Sequence, residues 1–302
     1  MSTFEKAKNF IYRNARPLDL ARWQFHFEGG SKEAVLKALS VYQNEDGGFG
    51  NALEADCFNP NSSPIQTWAA TQILKEIGVE DKSLPIIKGI LRYLGSGKDF
   101  NTQQEQWLNT VPANNEYPHA VWWEYGENGS EFKYNPTAAL AGFAIKFADK
   151  DSALYEMTCR IAKRAAEWYL TEAPDEEHIT GCFIRLYEYC MDACAELFDA
   201  EALLQKLKEK VNKVICRDTE KWYGEYVPTP SCYILSKTSP FYQDNADMVA
   251  EECRIIKERQ LPDGSFTVTW KWWTDYTEYE IAANWWKSDF VIRNMRFLKA
   301  FE

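Results

Sequence analysis

The sequence predicts an all-α fold: an α/α toroid of about six outer-inner helix pairs, forming one domain over 1–302 and closed around a central cavity. Three observations carry this expectation. Helical periodicity recurs in about twelve stretches, and no convincing strand hairpin interrupts it. Stretches with one apolar face alternate with stretches that are apolar almost all round, as the outer and inner layers of two concentric rings would. A turn, Gln43-Asn44-Glu45-Asp46-Gly47-Gly48-Phe49-Gly50, returns near the end as Gln260-Leu261-Pro262-Asp263-Gly264-Ser265-Phe266. Such recurrence marks a repeat architecture.

Residues 3–14 and 18–28 read as two short helices broken at Arg16-Pro17, with Phe4, Phe10, Ile11, Leu20 and Trp23 on a packing face. Gly29-Gly30 ends the second. Ser31 starts a half-exposed helix over 31–43, with Val35, Ala38, Leu39 and Tyr42 on one side. The first Asp-Gly turn follows, where glycine supplies positive φ and the Asp side chain bonds backbone two residues on. Irregular chain then runs to Asn61, and Ser62-Ser63-Pro64 opens a helix over 64–77. Residues 83–95 are amphipathic. A long aromatic-rich connection from Gly97 to Tyr134 leads to a helix over 136–148, whose run Ala138 to Ile145 should be buried on all sides.

Residues 151–170 are amphipathic again. Residues 178–194 are nearly all apolar or small apart from Arg185, Glu188 and Asp192. The stretch 198–216 is amphipathic, a shorter helix is expected at 230–237, 244–260 ends at the second Gln, and a last helix covers 277–300. An α-solenoid of the same helix pairs is the competing architecture. Closure is preferred because the buried helices stay apolar on both sides and the first and last pairs lack polar caps.

The chain is 45% apolar and 15% aromatic, which suffices for a core and a lined cavity besides. Its net charge of −11, without a Lys/Arg cluster, argues against nucleic acid and anionic membrane as partners. No run approaches the roughly 20 apolar residues of a membrane span. Met1 to Arg16 carries charges throughout, unlike a signal peptide. The eight Cys contain no C-x-x-C pair and read as reduced thiols, so a cytoplasmic location is expected. Asn61-Ser62-Ser63 and Asn128-Gly129-Ser130 match a glycosylation sequon, which has no meaning without secretion.

The unit of helix, Gln, Asp-Gly turn, aromatic and helix resembles the prenyltransferase/squalene-oxidase repeat of the terpenoid cyclase and protein prenyltransferase superfamily. The likeness covers most of the chain as a pattern and is specific over 34–50, 62–77 and 250–266. It implies that Gln43 with Phe49, and Gln260 with Phe266, tie an outer helix to the next inner helix. It also implies that six pairs close a ring. Asp99 to Trp107 and Trp222-Tyr223-Gly224 resemble degenerate copies. The chemistry of that superfamily has no counterpart here. There is no Asp-x-Asp-Asp acid motif and no Asp-Asp-x-x-Asp diphosphate motif. Glu54-Ala55-Asp56-Cys57 follows the glycine-rich turn as the superfamily's zinc motif does, but Asp56 and Cys57 are adjacent where that motif spaces them. Fold likeness without the motif assigns no reaction.

Three connections carry the candidate ligand-binding residues. Glu54, Asp56 and Asn59 precede the helix at Pro64, where they serve either as caps or as ligands of a small molecule. Tyr117-Pro118-His119-Ala120-Val121-Trp122-Trp123-Glu124 places His119, Trp122, Trp123 and Glu124 on one loop, to be weighed against a packed aromatic plug. Trp270-Lys271-Trp272-Trp273-Thr274-Asp275-Tyr276 offers Trp270, Trp272, Trp273 and Asp275, while Trp285 and Trp286 read as helical core. In a ring, outer-to-inner connections share one end, so these three should converge there. Asp56 and His119 are the candidate catalytic or recognition pair. No cofactor is expected, and no metal: Cys190 with Cys194, and Asp56 with Cys57, offer pairs where zinc wants four ligands.

Three functions compete. One is a terpenoid or prenyl enzyme holding an isoprenoid in an aromatic-lined cavity. A second is a carbohydrate-active α/α-barrel in which Asp56 and Glu124 or Asp275 flank a sugar, which needs them roughly 5–9.5 Å apart. The third is a non-catalytic module that binds a small molecule. The missing acid and metal motifs favour the third over the first, and the polar character of the Trp loops favours a sugar-like ligand over a hydrocarbon.

Overall fold

The structure is a computed structural model that describes residues 1–126 and 130–302. Asn128 and Gly129 of the second sequon lie outside the described residues. Contacts divide the chain into two compact units, residues 39–210 and residues 1–38 with 211–302. Among the described residues the fold is mostly helical, with α1 (Thr3–Asn14), α2 (Pro17–Phe27), α3 (Lys32–Ser40), α4 (Pro64–Glu76), α5 (Pro85–Gly95), α6 (Thr137–Phe147), α7 (Ala153–Thr171), α8 (Glu177–Asp192), α9 (Ala200–Val214), α10 (Ala246–Arg259) and α11 (Tyr279–Phe301). No helix of the described residues is long and apolar enough to cross a membrane.

The caps explain the helix starts. Ser2 and Glu5 form a reciprocal capping box on α1. Ser63 accepts from the Gln66 N–H with Pro64 in the first turn of α4, as the Ser-Ser-Pro run predicts. Glu176 accepts from the Ile179 N–H at 2.7 Å to start α8.

In unit 39–210 the core forms around α6. Every residue of α6 except Lys146 is buried, and α6 packs on α7, α8, α4 and α5. Gly142 lets α8 approach, since a Cβ there would sit 3.0 Å from the Leu186 Cα. Tyr169 stacks on Phe183 at 4.1 Å, and Tyr189 meets Phe143 edge-on. In the other unit α11 packs on α1, α2 and α10, over a core that includes Trp23, Trp222, Phe266 and Trp272.

The two repeat turns, one in each unit, have the same construction. Gln43 Nε2 donates to the Gly47 carbonyl at 2.9 Å and to the Ile86 carbonyl of α5 at 3.0 Å. Gln260 Nε2 donates to the Gly264 carbonyl at 3.1 Å and to the Thr3 carbonyl of α1 at 2.9 Å. Asp46 accepts from the Gly48 N–H, and Asp263 from the Ser265 N–H. Gly47 and Gly264 both have φ +95°, and a Cβ on either would fall 2.1 Å from a helix carbonyl, that of Gly89 or Lys6. Phe49 and Phe266 are wholly buried.

Two elements differ from the sequence expectation. Residues 230–237 form no α-helix, only a 3-10 turn at Pro230–Cys232. The buried Glu252 carboxylate takes the Ser231 N–H and the Thr229 and Ser231 hydroxyls, holding that segment open. Between Asp99 and Trp107 the chain makes a short antiparallel hairpin, β1 (Phe100–Asn101) with β2 (Gln106–Trp107). Its aromatic end is tied inward as Phe49 is. The Thr137 hydroxyl accepts from the Trp107 N–H at 2.9 Å, and the Thr67 hydroxyl accepts from the Phe49 N–H at 3.0 Å. Trp285 and Trp286 are half-buried rather than core.

Candidate functional site

Two of the three candidate connections meet in unit 39–210. The loop after the first repeat turn bends through Asn51 and Ala52 at positive φ. Gln66 of α4 holds it from below, accepting from the Leu53 N–H and donating to the Asn59 carbonyl, each at 2.9 Å. Its strand-like part pairs antiparallel with the aromatic loop at Cys57 and His119. Phe58 N–H donates to the Pro118 carbonyl and Ala120 N–H to the Asp56 carbonyl, both at 2.9 Å. Asn114, wholly buried, clamps the pair: its Oδ1 accepts from Asn59 Nδ2 at 2.9 Å and its Nδ2 donates to the Trp123 carbonyl at 2.9 Å.

The pairing sets the backbones of Asp56 and His119 beside each other, and Glu54, Asp56 and His119 are all buried. His119 Nδ1 lies 2.6 Å from the Tyr117 carbonyl, which requires the proton on Nδ1. Trp122 is exposed, as is Glu124. Trp123 is half-buried, and its Nε1 is buried with no hydrogen-bond partner among the described residues. Cys57 is buried, and burial pushes its thiol up to about 12, so it is inert as a nucleophile near neutral pH.

The third connection belongs to the other unit. There Trp270 packs edge-on against Tyr226, Trp286 and Phe290. Trp272 is core at 1% exposure, Trp273 is 75% exposed, and Asp275 is exposed. That unit also holds a surface groove of about 310 Å³ lined by His26, Arg296, Lys299 and Ala300, none of them a candidate from the sequence. Cys190 is buried and Cys194 exposed. Among the described residues no group of three His, Cys, Asp or Glu side chains is placed to hold a metal ion.

Sequence reasoning missed one face. On α8 Glu177, His178, Gly181, Arg185, Tyr187, Glu188, Met191 and Asp192 reach solvent, the four residues His178, Gly181, Arg185 and Glu188 among them; Ile179, Thr180, Cys182, Phe183, Ile184, Leu186, Tyr189 and Cys190 are buried. The 3-4-3 spacing puts those four on one side of the helix. Arg185 Nε donates to Gln72 Oε1 of α4 at 2.7 Å, and its Nη1 to Glu188 at 2.6 Å. Lys75 pairs with Glu188 at 3.2 Å. Trp68, one turn before Gln72, has its Nε1 buried without a partner among the described residues. Burial opposes charge on His178. The Glu177 hydrogen bond and charge, with Glu176 and Glu54, outweigh it and raise the imidazole above its ordinary 6.5. The signal was present as polar or small residues at helical spacing in a largely apolar helix. Neither a family model, nor a curated protein, nor a solved structure matches this chain.

Proposed function

We propose that the chain closes into an α/α ring of terpenoid cyclase and prenyltransferase type, and that it binds a hydroxyl-rich small molecule of the sugar class on the inner face formed by α4 and α8. Ring closure is supported by the last repeat. Gln260 and Gly264 engage α1 as Gln43 and Gly47 engage α5, so the final turn meets the first helix. An open solenoid has no reason to spend its last brace there.

The ligand class rests on one observation: the solvent-reached side of α8 and its α4 partners is polar. A bound hydrocarbon would have to cover Gln72, Arg185 and Glu188, stripping water from charged groups. A sugar would exchange water hydrogen bonds for bonds to those same groups. Trp68 and Trp123 supply ring faces for stacking and N–H donors that lack partners among the described residues. Glu54, His119 and His178 supply the acid-base groups that chemistry on a sugar uses. The test is calorimetric titration of the purified protein with monosaccharides, oligosaccharides and farnesyl diphosphate, beside native mass spectrometry for retained ligand. Saturable saccharide binding is expected. Saturable farnesyl diphosphate binding without any saccharide binding would overturn the reading.

A further inference from the structure

Gly181 is unexplained by packing. Glycine inside a helix loosens it relative to alanine, so a helix tolerates one where something needs the space. Gly142 has such a reason, in the close approach of Leu186 and Tyr189. A Cβ on Gly181 would meet no atom of the described residues within 4 Å. Nor does a positive φ require glycine there, since α8 is regular through 181. What Gly181 leaves is bare backbone on the solvent-reached side of α8, with His178 one turn above and Arg185 one turn below.

The two ends of this bare patch differ in charge. Above it, Glu177 pairs with His178 at 3.2 Å, and the Glu176 carboxylate caps the helix start. Below it, Arg185 and Lys75 both bond the carboxylate of Glu188, while Asp192 one turn further on is paired with Lys146. The bonds of Arg185 use Nε and Nη1, which leaves its Nη2 without a partner among the described residues. The span from residue 178 to 185 along the helix is about 10 Å, room for one sugar-sized ring. A neutral sugar has no use for the cationic end, and a simple anion has none for the acidic end. A ring bearing hydroxyls at one side and a carboxylate at the other matches both.

We propose that the stripe His178–Gly181–Arg185, with Gln72 and Trp68 of α4, is a subsite for a sugar carrying a carboxylate, a hexuronate. The carboxylate lies at Arg185 and Lys75, the ring crosses the Gly181 backbone, and the hydroxyls bond toward Glu177 and His178. The proposal rests on the sugar-class reading above and adds the charged group and its seat. Arginine suits this role because its planar donors match a carboxylate.

The experiment titrates the full chain with glucuronate and galacturonate, and with glucose and galactose, by calorimetry and ligand-observed NMR. Two variants are compared with the parent. Gly181→Ala adds one methyl into open space and improves helix propensity, so Tm should rise by about 1–2 °C. Its uronate affinity should fall at least tenfold. Arg185→Gln should abolish the preference for uronate over the neutral hexose. The pairing of higher stability with weaker binding is a result that a structural role for Gly181 does not produce. Equal binding of glucose and glucuronate sinks the carboxylate subsite while leaving the sugar reading standing. Unchanged uronate affinity in Gly181→Ala removes the seat. Binding of none of the four sugars overturns both.

Discussion

Replacing Gly47 with alanine tests the repeat turn at its tightest point. The residue sits at φ +95°, where an L side chain costs about 1–2 kcal/mol. The new Cβ would also stand 2.1 Å from the Gly89 carbonyl oxygen, with Gly89 carbon atoms at 2.6 and 2.8 Å. Those atoms are backbone of α5 and cannot rotate aside. The turn has to retreat by more than 1 Å, which breaks the two Gln43 bonds to Gly47 and Ile86, at about 1 kcal/mol each. The expected loss is about 3–4 kcal/mol. At about 2.1 cal/mol/K per residue over 302 residues, each kcal/mol lowers Tm by about 1.6 °C, giving a drop of about 5–6 °C. Gly29→Ala is the control: its φ is +73° but nothing described lies within 4 Å, so only the backbone cost of about 1–2 kcal/mol remains. Differential scanning calorimetry of the two variants reads the difference directly. Equal losses would refute the view that the turn is locked against α5.

Gln43→Ala and Gln260→Ala should each cost about 1–2 kcal/mol in denaturant titrations, and the double variant should be additive because the two sites share no partner. Coupling beyond about 0.5 kcal/mol would contradict that independence. Burial raises the Glu252 carboxyl above its ordinary 4.5, against the bonds from Ser231, Thr229 and Tyr223. The folded chain therefore binds that proton more tightly than the unfolded chain, and the contribution of this group to stability falls as pH rises from about 4.5 through the folded value. Glu252→Gln should remove that slope, and a parent-minus-variant difference that is flat across this range would count against the burial. Thiol labelling of the native protein should modify Cys194 and Cys232 first, with Cys57, Cys182, Cys190 and Cys253 reacting only on unfolding; mass spectrometry of the labelled peptides checks the order.

The helices were legible because periodicity and caps are local. The Ser-Ser-Pro start of α4 and the all-round apolar run of α6 each needed only neighbouring residues to read. The repeat turns were legible because Gly, Asp and Gln each have one physical reason to stand where they do. Residues 230–237 misled because the opposing force is remote: Glu252 on α10 claims the donors that an α-helix would have used. The loops of Asp56 and His119 pair through backbone, and the residue that clamps them, Asn114, carries no sequence signal of its own. The α8 stripe is hard to read in the sequence because its members are separated along the chain. A glycine, a histidine and two charges scattered over three helical turns read as exceptions to an apolar pattern until the helix sets them in line.

The arrangement of one unit from residues 1–38 and 211–302 has a consequence for synthesis. α1 and α2 leave the ribosome well before their packing partner α11 and the turn that grips Thr3. The α4, α5, α6, α7 and α8 helices of unit 39–210 have one another within reach well before then. At roughly 5–20 residues per second the first two helices wait for tens of seconds with Phe10, Ile11 and Trp23 uncovered. The nascent chain thus carries the uncovered apolar side chains of α1 and α2 while residues 39–210 are made, and the unit built from 39–210 can mature before the unit that brackets it in sequence.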